Sequence, residues 1–339
     1  MDVQAYTIAV IGAGSWGSTL ALLLHRNGHR VRVWSYEQQE VDNVQQKGEN
    51  TRFLPGIPVP PEVLFSTDMV RVIAEADLFL MATPSQYMRR VAEQLAVLSP
   101  APGPVVNVSK GIENRSLRRM SEVLAETLPD GFRDYIVTLS GPSHAEEVSR
   151  HIPTVVVAAS PNLETATQIQ QICMCETFRV YTTPDLLGVE LASSLKNIIA
   201  LAAGISDGLG YGDNAKGALL TRGLAEISRL GVAMGAKMAT FAGLAGMGDL
   251  ITTCMSRHSR NRYVGEQIGR GKKLQQVLDE MVMVAEGVRT TVSAVELGDR
   301  MGVELPITRE VYKVLFEDKD PLQGVLDLML RPPKPEIYW

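Results

Sequence analysis

A glycine-rich segment near the start of the chain has the residue types and the spacing of a dinucleotide-binding loop. Its glycines are Gly12, Gly14 and Gly17, which follow an apolar run and open an amphipathic stretch. In this pattern the first glycine allows a tight turn, the second lets the backbone approach a pyrophosphate, and the third lets the helix pack closely on the sheet. The N–H groups at the start of that helix would face the phosphates. The strand–loop–helix context favours a site for NAD or NADP over a glycine-rich turn without a ligand.

The residues after the second predicted strand bear on the choice between these two cofactors. An acidic side chain there suits the ribose 2′-hydroxyl of NAD, and a basic one suits the 2′-phosphate of NADP. The chain has Ser35, Tyr36 and Glu37 at this place, with no Arg or Lys directly after them. Glu37 stands slightly late and favours NAD only weakly, so the cofactor is NAD or NADP. Tyr36 is either an adenine-stacking side chain or an ordinary surface tyrosine.

One lysine lies in an unusually apolar predicted helix. The neighbours of Lys196 three and four residues away include no carboxylate, so no ion pair along the helix would hold it in solvent. Burial would lower the pKa of its amine and suit it to proton transfer. The alternative is a lysine whose amine reaches the surface from an amphipathic helix.

A short polar segment predicts an anion site at a helix start. Ser259 is a suitable N-cap, and the N–H groups that follow it attract an anion. Arg260 adds a two-pronged donor that fits phosphate, and Asn261 adds an amide. A capped, solvated basic turn is the alternative, because Arg257 and Arg262 are close by. Asp249 is either a helix N-cap or a partner that orients Lys196, and the sequence favours the cap.

The elements that position these residues form two groups. Seven apolar runs alternate with helical stretches such as 15–27 and 117–128, which predicts a Rossmann-type, doubly wound α/β sheet over residues 1–184. After about residue 184 the strand-like runs end and an all-α second domain over 185–339 is expected. The predicted strands are 6–11, 30–34, 77–82, 105–109, 135–139, 154–159 and 177–181. The later helices are 185–205, 214–234, 238–244, 259–270, 274–281, 288–301 and 306–316.

Composition excludes several classes of protein. The 339 residues are 45% hydrophobic and 21% charged, with a net charge of −5 and no basic cluster, so no nucleic-acid partner is expected. The apolar runs end too early for a membrane span or a signal peptide, which makes a cytoplasmic protein the expectation. Three cysteines in no framework suggest a reducing compartment, and Cys173 and Cys175 lack the second pair that a metal site needs.

Taken together, the motifs of this chain closely resemble those of NAD(P)-dependent glycerol-3-phosphate dehydrogenases. The resemblance runs from about residue 8 to 316, and the order and spacing of the motifs make it specific. It implies reversible reduction of dihydroxyacetone phosphate to sn-glycerol 3-phosphate, supply of glycerophospholipid synthesis, and a homodimer. Besides the glycine-rich loop, the motifs that carry it are residues 50–56, 109–113, 140–143, 195–197, 207–212, 248–253 and 259–262.

The resemblance also implies a role for each of several residues. Lys196 matches the catalytic lysine of the family. The residues that match substrate contacts are Lys110, Gly141, Ser143, Lys196, Asp249, Ser259, Arg260 and Asn261. The residues that match cofactor contacts are Gly12, Gly14, Ser15, Trp16, Gly17, Tyr36, Tyr87, Lys110, Ala145, Arg260 and Glu286. This chain departs from the fully basic pattern that some NADP-preferring members carry after the second strand.

Two other classes of function compete with this interpretation. One is another two-domain dehydrogenase, such as a hydroxy-acid or ketopantoate-type reductase, which would not need the segment from Ser259 to Asn261. The other is a regulatory protein that senses a dinucleotide without turning over a substrate, which would leave Lys110 and Lys196 without a task.

Overall fold

The structure is a computed structural model that describes residues 4–98 and 100–336. The chain forms two compact units. Unit 1 contains the described residues up to Lys110 and Arg118–Leu186, and unit 2 contains Gly111–Leu117 and the described residues from Leu187 onward. The predicted domain ranges, 1–184 and 185–339, place Gly111–Leu117 in the first domain, whereas the structure assigns this segment to unit 2. Residues 1–3 and 337–339 of those ranges lie outside the described residues.

Unit 1 is built on one eight-stranded sheet with the order β3-β2-β1-β4-β5-β6-β7-β8. The chain forms its first six strands parallel to one another, while β7 runs antiparallel to β6 and parallel to β8. This confirms the Rossmann-type fold class and adds a reversal that the sequence did not predict. The strands are β1 (Thr7–Ile11), β2 (Arg30–Trp34), β3 (Leu64–Ser66), β4 (Leu78–Met81), β5 (Val105–Asn107), β6 (Ile136–Ser140), β7 (Thr154–Ala159) and β8 (Phe178–Thr183).

Helices cover both faces of this sheet, as the apolar strands require. Ile8 and Val10 of β1 belong to one apolar core, and Ala9 and Ile11 belong to the other; all four are fully buried. A strand buried on both faces has no polar alternation, which is why it reads as a continuous apolar run. The helices are α1 (Ser15–Arg26), α2 (Gln38–Lys47), α3 (Met69–Ile73), α4 (Met88–Val97), α5 (Met120–Thr127), α6 (Ala145–Val148) and α7 (Leu163–Cys173).

From Leu187 onward, the regular secondary structure of unit 2 is helical in the part that the structure describes, which confirms the predicted all-α class. A π-helical turn, Leu244–Gly248, joins two of its helices. The helices are α8 (Leu186–Gly208), α9 (Asp213–Ala233), α10 (Met238–Phe241), α11 (Asp249–Met255), α12 (Arg260–Gly269), α13 (Leu274–Asp279), α14 (Glu286–Met301), α15 (Pro306–Phe316) and α16 (Pro321–Met329).

Helix α8 is the central element of unit 2. It packs backbone to backbone against α12, since a Cβ added at Gly204 would lie 2.0 Å from the Arg262 carbonyl oxygen and one at Gly265 would lie 2.0 Å from that of Leu201. This contact places the start of α12 beside the C-terminal half of α8. Two helical stretches, Leu186–Gly208 and Met238–Met255, are long and apolar enough to cross a membrane. Core helices pass the same test, and 83% of the first stretch's most apolar window is buried within the protein.

Candidate active site

The glycine-rich loop of unit 1 depends on close backbone packing at two of its glycines. Gly12 has a φ of +126°, and a Cβ there would lie 2.7 Å from the carbonyl oxygen of Ala82, just beyond β4. A Cβ at Gly17 would lie 2.0 Å from the carbonyl oxygen of Gly12. Both positions therefore require glycine, the first for the turn and the second for the packing of α1 on β1.

Gly14 differs from its two neighbours in the motif. A Cβ added there would meet no atom of the described protein within 4 Å, so the backbone of this loop borders open space. Gly14 is also the N-cap of α1, whose first turn has no acidic residue and no side-chain cap. Open space in front of uncapped N–H groups fits the pyrophosphate of a dinucleotide. Ser15 and Trp16 form the first turn of this helix.

Side chains and loops at the carboxyl ends of neighbouring strands of unit 1 are linked in order. The hydroxyl of Ser109, after β5, donates to the carbonyl of Thr83, after β4, at 2.5 Å. The amine of Lys110 donates to the carbonyl of Gly141, after β6, at 3.2 Å. Ser143 Oγ donates to the same carbonyl at 3.1 Å. The structure thus brings Lys110, Gly141 and Ser143 together at one edge of the sheet.

The remaining predicted cofactor residues of unit 1 lie around this edge. The carbonyl of Ala145, at the start of α6, accepts a hydrogen bond from Thr19 Oγ1 of α1 at 3.4 Å. Ala145 therefore adjoins the helix that follows the glycine-rich loop. Tyr36, after β2, and Tyr87, after β4, are both exposed, which leaves their rings accessible to a ligand.

In unit 2 the predicted catalytic lysine is buried in a polar cluster. Lys196 is 4% exposed, and its Nζ lies 2.8 Å from Asp249 Oδ1. Nζ also donates a hydrogen bond to Thr253 Oγ1, and that hydroxyl donates to Asp249 Oδ1 at 3.2 Å. The alternative of a lysine that reaches the surface is therefore wrong. Its carboxylate partner, Asp249, comes from α11, so the spacing of residues along α8 could not predict the pair.

The sequence preference for Asp249 as a helix N-cap is also wrong. Gly248 occupies the N-cap position of α11, and Asp249 is the first residue of the helix. The Asp249 carboxylate instead contacts Lys196 and Thr253, because α11 starts against the middle of α8. Thr253 was missed by the sequence reasoning, although it stands four residues after Asp249, on the same helix face.

The start of α14 also adjoins the part of α8 that bears Lys196. Asn261 Oδ1 accepts a hydrogen bond from Gly287 N at 2.9 Å. A Cβ at Gly287 would lie 2.7 Å from the carbonyl oxygen of Asn197, the residue that follows Lys196. Asn261 and α8 therefore meet across Gly287 of α14, one residue along α8 from Lys196.

The predicted anion segment forms the start of α12 as expected. Ser259 is the N-cap, and its Oγ accepts from Arg262 N at 3.2 Å. Arg260 donates to the Val284 carbonyl at 3.3 Å, which holds it beside the segment that leads to Glu286, the first residue of α14. Arg262 points elsewhere, since it pairs with Asp207 at 2.6 Å. Of the two, Arg260 is the arginine held at the loop before α14.

The chemistry available in each unit differs. Unit 1 presents backbone donors and one amine, which suit the binding of phosphate groups. Unit 2 presents a buried amine held by a carboxylate and a hydroxyl, which suits proton transfer to a substrate oxygen. Cys254 is no competing nucleophile, because burial raises the pKa of its thiol to about 12.

Comparisons with known proteins agree with these features. The model of the NAD-dependent glycerol-3-phosphate dehydrogenase N-terminus matches residues 7–166, and that of the C-terminus matches residues 185–325. A glycerol-3-phosphate dehydrogenase [NAD(P)+] of Chlorobium limicola is 52% identical over 331 residues, which cover 98% of this chain and 99% of the relative. One from Geobacillus thermodenitrificans is 51% identical over 331 residues, covering 97% of this chain and 96% of the relative.

A solved structure extends the agreement to three dimensions. The crystal structure of glycerol-3-phosphate dehydrogenase from Coxiella burnetii superposes with a TM-score of 0.92 at 39% identity, covering 96% of this chain and 99% of that one. Two family models that together match most of the chain, and full-length relatives at about half identity, point to one family. This chain belongs to the NAD-dependent glycerol-3-phosphate dehydrogenase family.

Proposed function

We propose that this protein catalyses the reversible reduction of dihydroxyacetone phosphate to sn-glycerol 3-phosphate with NADH or NADPH. The observation that carries the proposal is the buried cluster of Lys196, Asp249 and Thr253 in a chain of this family. A buried ion pair opposes folding, because its two charges are removed from water. Its presence in unit 2 therefore supports a functional role for the pair. A dinucleotide sensor without turnover gives this cluster no task.

Lys196 is proposed to move the proton at the C2 oxygen of the substrate. The bound nicotinamide cofactor supplies or accepts the hydride at C2. The ammonium of Lys196 gives its proton to the oxygen as the carbonyl is reduced, and the amine takes that proton back in the oxidation direction. Asp249 and Thr253 both contact Nζ, so the amine is positioned before the substrate arrives.

The start of α12 is proposed to bind the substrate phosphate. Ser259 caps the N–H of Arg262 at this helix start, Arg260 supplies a forked cation, and the NH2 group of Asn261 can donate while its oxygen accepts from Gly287. Phosphate binding far from C2 would fix the reacting geometry there. Lys110, Gly141 and Ser143 are proposed as further substrate contacts.

The glycine-rich loop is proposed to hold the cofactor pyrophosphate through backbone N–H groups. Gly14 borders the open space that this requires. Ser15 and Trp16 directly follow Gly14 at the start of α1 and are proposed as further cofactor contacts. The other proposed cofactor contacts are Gly12, Gly17, Tyr36, Tyr87, Lys110, Ala145, Arg260 and Glu286.

The setting of this activity is part of the same proposal. We propose a cytoplasmic homodimer that supplies glycerophospholipid synthesis, with no membrane insertion and no nucleic-acid partner. The net charge of −5 and the burial of α8 within unit 2 support the last two points.

A spectrophotometric assay tests the proposed activity. The purified chain should oxidise NADH or NADPH when dihydroxyacetone phosphate is added, and glycerol 3-phosphate should drive the reverse reaction. Unphosphorylated dihydroxyacetone serves as the matched control and should be a very poor substrate, because it lacks the group that α12 is proposed to bind. Comparable efficiency on both ketones would refute the phosphate site, and no turnover of either would refute the proposed function.

A further inference from the structure

The segment 50–56, which contains Arg52, is hydrogen-bonded to the glycine-rich loop. Asn50 is buried, and its Nδ2 donates to the carbonyl of Ala13 at 2.7 Å and to Ser18 Oγ at 3.0 Å. Both partners belong to the segment that is proposed to hold the pyrophosphate. Arg52 comes two residues after Asn50. The position of Arg52 is therefore fixed relative to the cofactor loop.

The Arg52 side chain lies at the carboxyl end of β2. Its Nη1 is 2.7 Å from Glu37 Oε2 and 3.4 Å from Glu40 Oε1. The guanidinium also lies over the Phe53 ring, 5.0 Å from its centroid. In a Rossmann domain this end of the second strand adjoins the ribose 2′ position of the adenosine.

Arg52 has donors to spare. Both ion pairs use Nη1, and within the described part of the chain Nη2 and Nε make no hydrogen bond or ion pair. A guanidinium binds phosphate through two parallel N–H donors. One fork of Arg52 is therefore available for a phosphate while Phe53 supports the flat face of the group.

The two carboxylates beside Arg52 are held differently. Glu40 has a side chain only 9% exposed, and it accepts a hydrogen bond from Ser35 Oγ. Glu37 has a side chain 45% exposed and precedes the first helical residue of α2. An exposed ion pair contributes little, about 0–1 kcal/mol. The Arg52–Glu37 pair can therefore open at small cost, whereas Glu40 stays in place.

We infer that Arg52 and Glu37 form an exchangeable reader of the cofactor's 2′ position, an inference that rests on the proposed function. With NADH, Glu37 accepts from the ribose 2′-hydroxyl and keeps its pair with Arg52. With NADPH, Glu37 turns toward solvent and Arg52 binds the 2′-phosphate through its second fork. The chain thereby accepts both cofactors without a basic residue directly after β2.

Equilibrium binding of NADH and NADPH to the intact chain, followed by nucleotide fluorescence without substrate, tests this inference. Arg52→Met should weaken NADPH binding roughly 10- to 100-fold, the usual effect of losing a hydrogen-bonded charged partner, and leave NADH within about threefold. Glu37→Gln should act in the opposite sense, with tighter NADPH and weaker NADH binding, because it removes a charge that repels phosphate and a strong acceptor for the hydroxyl. Arg30→Met is the matched control, because Arg30 is an exposed arginine at the opposite end of β2, and it should change neither affinity.

The outcomes separate the inference from the function it rests on. Failure of the unaltered chain to bind either nucleotide would overturn the proposed function. Normal binding by the unaltered chain together with an Arg52→Met protein that loses both nucleotides equally would overturn the reader, because the loop would then act only as a support. Arg52→Lys covers the case in which the methionine variant does not fold. It keeps the charge without the fork, and a selective loss for NADPH supports the inference while an unchanged NADPH affinity overturns it.

Discussion

The glycine-rich loop of unit 1 and the lysine cluster of unit 2 are built in opposite ways. The loop is made of backbone within six residues, and it works because side chains are missing. The cluster is made of side chains from α8 and α11, and Lys196 and Thr253 are 57 residues apart in the sequence. A site of the first kind is destroyed by adding atoms, and a site of the second kind by removing them.

This difference predicts which step each substitution affects. An atom added to the loop blocks the place of a ligand without touching the reacting groups. A group removed from the cluster leaves the proposed ligand sites of unit 1 intact and takes away the proposed proton donor.

The largest effect is expected for Lys196→Met. Turnover should fall by roughly two to four orders of magnitude, the usual yield of positioned proton transfer, while the dissociation constant for the dinucleotide stays nearly unchanged. Stability should fall as well, because Asp249 is 2% exposed and would lose its charged partner. Measurement of turnover, dinucleotide affinity and unfolding on one preparation separates these effects.

Two further variants separate a loss of the chemical step from a loss of stability. The double variant Lys196→Met with Asp249→Asn should recover much of the lost stability and none of the turnover, because it removes the unpaired charge. Lys319→Met alters another partly buried lysine with carboxylate partners, between α15 and α16, and should keep full turnover. Near-normal turnover in folded Lys196→Met would remove this lysine from the mechanism and make Lys110 the next candidate.

The same contrast explains what the sequence could predict. The strands that are buried on both faces, such as β1 and β4, appear as apolar runs, and the loop appears as three spaced glycines, because both signals are local. Strand β3 has only three residues and was missed, whereas the equally short β5 was predicted because it begins a longer run, residues 105–109. The range of β7 was predicted, but its antiparallel direction was missed, because strand direction depends on the path of the chain between strands, which apolar content does not encode.

The site in unit 2 was predictable only in part for the same reason. The sequence predicted a special role for Lys196 because its own helix is apolar. Its partners Asp249 and Thr253 arrive from α11 through tertiary packing, so the sequence favoured a local cap for Asp249. The pairing of Arg52 with Glu37 likewise joins a loop to a strand end, and no periodicity marks it.

A smaller effect, on binding alone, is expected for Gly14→Val. The added side chain meets no protein atom at its Cβ, so the fold should survive, yet it enters the proposed place of the pyrophosphate. We expect dinucleotide affinity to fall by roughly 100-fold or more, a loss of about 2.7 kcal/mol, with an unchanged unfolding transition. Gly17→Val is the contrasting variant and should fail to fold, since its Cβ would lie 2.0 Å from the Gly12 carbonyl oxygen. Normal affinity in folded Gly14→Val protein contradicts the proposed role of the loop.

The smallest effect is expected for Arg260→Lys, which keeps the charge and removes the fork. Lysine binds phosphate as a point charge, so the two-pronged contact is lost while the attraction remains. KM for dihydroxyacetone phosphate should rise roughly tenfold, about 1.4 kcal/mol, with a smaller change in turnover, because the phosphate lies away from the reacting carbon. Arg257→Lys is the matched control three residues earlier, at an exposed position outside α12, and should leave KM unchanged. An unchanged KM in both variants would mean that the start of α12 attracts the substrate by positive charge alone, and the forked contact at Arg260 would have to be abandoned. A tenfold effect confined to Arg260 would instead place the phosphate at this helix start. The proposed phosphate site would then combine side-chain and backbone donors, so it would share features of the backbone loop in unit 1 and the side-chain cluster in unit 2.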